Sequence, residues 1–260
     1  FILKFKLVFV SELVTDAKLS YKTGIDSFTY GLYNWSTQKE DKYTYEANSL
    51  KIGEADLETS KFPYVNIDST YGREINNEVA ELIKEYFDLY VDSIKLIRDT
   101  ESIQDMNEKK QARWNLNDER IANNIVKYNA YKNDNILSIV IVEGPITNIG
   151  YKYKTFNIDL NTGKRVNLEE AYKKLGYTQS ELEEDLLKEV SELVKERCEA
   201  NDILDKYEGL MSYNEKRVVS TIENDNASYF IDENKNLNIV VMTNQPWGKD
   251  NHDILYTVKK

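Results

Sequence analysis

The chain is poor in the residues that most reaction chemistry needs. Among 260 residues there is one histidine, His252, and one cysteine, Cys198. A single Cys excludes an intramolecular disulfide and any cysteine-based zinc centre. A single His excludes the zinc hydrolases that need two or three of them. A serine triad would have to use His252, with no G-x-S-x-G turn to present the serine. Neither G-x-x-x-x-G-K-[ST] nor G-x-G-x-x-G occurs, so nothing supports a nucleotide fold. No run of 18 apolar residues is present. The opening FILKFKLVFV is too short and too interrupted by lysine for a membrane helix or a signal-peptide core. Its alternation reads as a strand, Phe1–Val10. Because the chain starts on Phe rather than Met, an anchor in a longer precursor stays open.

What is present bounds the rest. Nineteen Tyr against 10 Gly and 3 Pro suggest a strand-rich fold with much half-buried surface. With 41% hydrophobic and 30% charged residues the chain is not disordered by composition, and its length suffices for one substantial core or two modest ones. The net charge of −11 repels nucleic acid and anionic lipid and attracts a basic partner, while also serving solubility. Forty-five acidic residues always allow a glycosidase-type carboxylate pair, but no spacing selects two of them.

Periodicity gives the layout. Phe1–Val10, Lys18–Tyr33 and Lys42–Ile52 read as strands. Ser60–Ile67 reads as a short extended segment that Pro63 assigns to an edge or strand end. Ile75, Val79, Leu82, Ile83, Tyr86, Phe87, Tyr90, Val91 and Ile94 share one helical face between about Gly72 and Arg98. Residues 99–122 are polar and read as irregular or partly helical. Strands return at Ile125–Tyr131 and Ile136–Val142, joined by the turn Lys132-Asn133-Asp134-Asn135, with Tyr151–Leu160 as third member of the meander. A second long helix runs from about Ser180 to Glu199, with Leu182, Leu186, Val190 and Leu193 in one row. Ser180 and Glu183 form its expected capping box, and Cys198 belongs to its core face. The chain ends on a hairpin, Ser228–Met242, followed by TNQPWGKDNHDILYTV, with His252 expected in an exposed turn. The layout predicts an α+β fold, antiparallel sheets with two long amphipathic helices packed on them.

Two motifs invite a functional reading and lose it. Asp232-x-Asn234-x-Asn236 resembles the start of a calcium loop, but Leu237 stands where the loop needs Gly and Thr243 where it needs Glu, so the segment reads as a hairpin turn. The stretch FNIDLNTGKRVNLEEAY, Phe156–Tyr172, has the outline of a substrate-cradling strand–loop–helix. Each polar residue nonetheless has a structural task. Phe156, Ile158 and Leu160 alternate as a strand with one buried face, Gly163 suits a positive-φ turn, and Asn167 with Glu170 makes a capping box. Leu168–Leu175 is then a short helix that Gly176 stops.

In combination these segments resemble a known family. NIDLNTGKRVNLEEAY, the long helix after it, and YFIDENKNLNIVV (Tyr229–Val241) are similar to the C-terminal module of RsiV- and PdaC-type extracytoplasmic proteins. FPYVN at Phe62, EINNEVAELIKEYFD ending at Asp88, and YNAYKNDNILSIVIV (Tyr128–Val142) are similar to the module that precedes it. The resemblance covers about Asp41 to Lys260. It implies a β-rich extension over 1–40, a first module over 41–150 and a second over 151–260. It also implies an extracytoplasmic place at the surface of a Gram-positive bacterium, held to the membrane only through an anchor outside this chain. Such domains include the receptor half of an anti-sigma factor that binds lysozyme and the non-catalytic part of a cell-wall deacetylase.

The resemblance therefore implies a non-enzymatic sensor or binding domain without a cofactor, whose partner is a basic protein such as lysozyme, or peptidoglycan. The alternatives are an accessory peptidoglycan-binding domain of a deacetylase and a hydrolase using unrecognised carboxylates. By similarity, recognition falls to two loops. One contains Gly144, Pro145, Ile146, Thr147, Asn148 and Tyr151, the other Gln245, Pro246 and Trp247, with Trp247 as anchor. Relatives often carry a Gly-Gly-Ala-His-Gly-like loop where this chain has EGPITNIGY (Glu143–Tyr151), with no His and no double Gly, a departure that bears on the specificity of that loop.

Overall fold

The structure, a computed structural model, describes residues 9–17, 19–23, 27–34, 39–46, 60–118, 125–146, 150–200, 202, 204–244 and 251–258. It is an α+β protein with antiparallel sheets. The chain divides into two compact units. The first comprises Phe1–Tyr128 with Glu143–Thr147, and the second Asn129–Val142 with Asn148–Lys260.

In the first unit a helical turn, α1 (Val10–Leu13), leads into β1 (Val14–Asp16), so Val10 belongs to a helix rather than to the expected opening strand. Strand β1 pairs with β5 (Pro63–Val65), and Pro63 opens that strand, where its missing N–H costs nothing. Between them lies a meander of β2 (Leu19–Thr23), β3 (Ser27–Asn34) and β4 (Lys39–Glu46). The long helix α2 (Thr70–Ser102) begins one turn after β5. Ser69 caps it by accepting from the Gly72 N–H. Gly72 is required there, because a Cβ at that position would stand 2.4 Å from the Ile67 carbonyl oxygen.

Helix α2 buries Ile75, Val79, Ile83 and Phe87, four residues apart on one stripe, and Asn76 beside them. The Asn76 amide closes on β5, accepting from the Val65 N–H at 2.8 Å and donating to the Val65 carbonyl at 3.0 Å. It satisfies the edge that β1 leaves open, as a neighbouring strand would. A second helix, α3 (Met106–Asp118), follows after a break at 103–105, with Asp105 accepting from the N–H groups of Asn107 and Glu108. Polar residues 99–122 therefore contribute the end of one helix and the whole of another.

The second unit holds most of a four-stranded sheet, β6 (Ile125–Asn133), β7 (Ile136–Ile146), β8 (Gly150–Asp159) and β9 (Lys164–Arg165), in that order. It also holds a three-stranded sheet of β10 (Tyr229–Ile231), β11 (Leu237–Asn244) and β12 (Asn251–Val258). His252 lies within β12 opposite Thr243, so it is a strand residue and not the expected turn residue. Three helices complete the unit, α4 (Leu168–Lys174), α5 (Gln179–Ala200) and α6 (Tyr207–Ile222). The cap of α5 is Thr178 with Glu181, which exchange backbone and side-chain bonds, two residues earlier than the Ser180–Glu183 box expected.

Helices α5 and α6 lie on the sheet of β10–β12. Leu182, Leu186, Val190, Val194 and Cys198 of α5 and Met211, Val218 and Ile222 of α6 meet Leu237, Ile239 and Val241 of β11 in one buried cluster. Each fully buried aliphatic side chain contributes about 1.5–3 kcal/mol by leaving water.

The opposite side of β10 is held by side chains. Thr155 accepts from the Tyr229 N–H, and Asn157 donates to the Tyr229 carbonyl at 2.7 Å. Ser138 accepts from the Ile231 N–H, and Asn133 donates to the Ile231 and Asp232 carbonyls. Ser138 also donates to Asn157 at 2.7 Å, so the caps are wired together. These donors and acceptors come from β8, β7 and β6 in turn, so β10 runs across those strands. Among the described residues, no helix is long and apolar enough to cross a membrane.

Candidate recognition site

The turn, cap and short helix of the corner Phe156–Tyr172 form as the sequence predicts, but its strand is not buried on one face only, since Asn157 is buried between Phe156 and Ile158. Gly163 has φ 66° and Gly176 φ 81°. Asn167 accepts from the Glu170 N–H while Glu170 reaches back to the Asn167 N–H, which completes the capping box. The Tyr229 hydroxyl donates to the carbonyls of Val166 and Asn167 and ties the corner to β10. Partial burial raises the Asp159 carboxyl, but the N–H groups of Thr162 and Asn161 and the Lys174 ammonium outweigh it, and the group stays below the ordinary carboxylate value. Asp232 behaves alike. Burial raises it, and bonds from Asn236, Asn238 and the Asn234 N–H bring it lower. Both carboxylates hold turns closed in their ionised form, and neither is poised to donate a proton near neutral pH. The DENKN segment is the hairpin turn expected of it, with Lys235 at φ 64°.

Cys198 is fully buried, and burial pushes its thiol up, away from nucleophile chemistry. Among the described residues no three His, Cys, Asp or Glu side chains are grouped to hold a metal ion.

The nine residues expected to recognise a ligand are distributed as follows. Gly144, Pro145 and Ile146 lie at the end of β7, Gly144 buried with φ 142°, a conformation that favours glycine. Tyr151 opens β8 in the second unit and keeps 45% of its surface exposed. Thr147, Asn148, Gln245, Pro246 and Trp247 lie outside the described residues. Strands β11 and β12 pair as far as Asn244 opposite Asn251, so 245–250 connect the hairpin, and Met242 just before them is exposed.

The second unit presents a further surface that sequence reading missed. Helix α6 was not expected at all, because buried Asn214 interrupts the apolar row of Tyr207, Met211, Val218 and Ile222. The signal was that row's helical spacing, with Met211, Val218 and Ile222 falling four, eleven and fifteen residues after Tyr207. With α6 in place, α5 and α6 flank an open groove of about 470 Å³, lined by Leu187, Lys188, Ser191, Tyr207, Glu208, Met211, Ser212 and Glu215. The Ser191 and Tyr207 hydroxyls hydrogen-bond at 2.7 Å across it. On its outward face α5 exposes Glu181, Asp185, Glu189, Glu192, Glu196 and Glu199.

Compared with protein-family models, with curated proteins and with solved structures, the chain matches none.

Proposed function

We propose that this chain is a non-enzymatic extracytoplasmic binding domain whose partner is a basic, cell-wall-directed protein of the lysozyme type. The observation that carries the reading is the charge, −11 overall, with an exposed row of carboxylates along α5. Such a field raises the encounter rate of a basic protein and weakens with salt. The similarity of the two sequence modules to RsiV- and PdaC-type domains gives the partner its class. Exposed Tyr151 and Met242, at strand ends that lead into the two loops, suit apolar contact there, with Trp247 as the anchor.

The test is a calorimetric titration of the chain with lysozyme at moderate salt. Micromolar binding that is lost in Trp247→Ala supports the reading. No binding below about 1 mM, equivalent to roughly −4 kcal/mol, overturns it. Hydrolysis of a glycan substrate by the isolated chain would replace it with an enzyme.

A further inference from the structure

The groove between α5 and α6 is lined by residues outside the two loops. Its floor is apolar, made by Leu187, Met211 and the Tyr207 ring. One wall carries Glu208 and Glu215, both exposed and without an ion-pair partner among the described residues. Seven residues apart on α6, they stand on one face, about 10.5 Å apart along the axis at 1.5 Å per residue. Lys188 stands on the facing wall.

The backbone adds an independent sign. Gly209 lies within α6, where a helix loses about 1 kcal/mol relative to alanine. A Cβ there would meet nothing within 4 Å, so no contact inside this protein requires a glycine. Gly209 directly follows Glu208 of the lining, so the helix backbone next to that carboxylate carries no side chain.

A second copy does not suit the face. Presenting it to itself brings together two chains of net charge −11, with one lysine, Lys188, in each lining to answer two glutamates, Glu208 and Glu215. Complementarity selects the opposite sign.

We infer that this groove docks a basic amphipathic helix from another protein. Its apolar stripe would lie on Leu187, Met211 and Tyr207, and Lys or Arg side chains two turns apart would meet Glu208 and Glu215. The inference does not rest on the loop reading, and the same experiment separates them. The chain has three methionines. Met211 lines the groove, Met242 precedes the 245–250 loop, and Met106 belongs to the first unit.

The probe is a 16-residue helical peptide with Leu at positions i, i+3, i+4 and i+7 of each repeat and Lys elsewhere, titrated into the full chain carrying 13C-methyl methionine. The Met211 resonance is expected to shift saturably while Met242 and Met106 stay in place. Glu208→Lys with Glu215→Lys is expected to weaken binding at least tenfold. Glu192→Lys with Glu196→Lys changes the net charge equally on the outer face of α5, and is expected to weaken it less than threefold. Equal weakening by both pairs, a shift confined to Met242, or no saturation below about 1 mM overturns the groove. A Met242 shift on titration with lysozyme would instead bear on the loops alone.

Discussion

Each unit contains a three-residue strand with one edge paired to a strand and the other closed by side chains, and the two closures are built differently. In the first unit a single residue, Asn76, meets both the N–H and the carbonyl of Val65 from a helix. In the second, Thr155, Asn157, Ser138 and Asn133 share the edge of β10 and come from a sheet. A helix can aim one amide at a strand, and that amide's donor and acceptor match one residue's two backbone groups. A sheet crossed by a strand offers a row of short polar side chains instead, each supplying one bond. The first closure is concentrated in one side chain, and the second is distributed and interconnected. In both, an exposed strand edge that could recruit another chain is removed from within.

The comparison breaks most visibly at Asn76. Asn76→Ala leaves two buried backbone groups without partners and is expected to destabilise the first unit by about 3 kcal/mol in urea unfolding, with Val65 losing amide protection. Asn157→Ala strands one carbonyl and one hydroxyl and is expected to cost about 2 kcal/mol, because Thr155, Ser138 and Asn133 still hold β10. Ser138→Ala with Asn157→Ala should cost less than the sum of the single changes, since the two share a hydrogen bond. Additive costs would show that the side chains cap β10 independently.

Acid titration sharpens the comparison. Asp159 and Asp232 of the second unit are lowered from an ordinary value of 3.8. Their contribution is therefore present above that value and is lost as pH falls through the lower folded values. As pH falls below about 3.8 the turn amides of Asn161, Thr162, Asn234 and Asn236 should lose protection, and Asp232→Asn should flatten the change at its own turn. The smallest expected effect is a gain. Gly209→Ala should stabilise the second unit by about 0.5 kcal/mol, since its new methyl meets nothing.

Elements dictated by local physics were legible in the sequence. The stripe at Ile75, Val79, Ile83 and Phe87 fixed α2, and Leu182, Leu186 and Val190 fixed α5. The corner from Phe156 to Gly176 could be read almost residue by residue, because turn and cap chemistry is short-ranged. Legibility stopped where a residue's partner is distant. Asn76 and Asn157 look like solvent residues in sequence, yet both are buried and bond across 11 and 72 positions. Asn214 hid α6 by the same means, since a buried polar residue breaks the apolar stripe on which periodicity depends. The α5–α6 groove was invisible for that reason. The capping box of α5 slipped by two residues because Ser180 and Thr178 both offer a hydroxyl three positions before a glutamate, and only the path of the chain selects Thr178. The two loops were located by resemblance, which carries no geometry.

Whether side chains truly stand in for strands is tested most directly by native-state hydrogen exchange at three amides, Val65, Tyr229 and Ile231. Each donates to a side chain on its closed edge. The expected result is exchange as slow as that of Ile239 in the centre of its sheet, with Asn76→Ala releasing Val65 alone and Ser138→Ala releasing Ile231 before Tyr229. Exchange of all three at the rate of exposed turn amides in the unaltered protein would contradict the account.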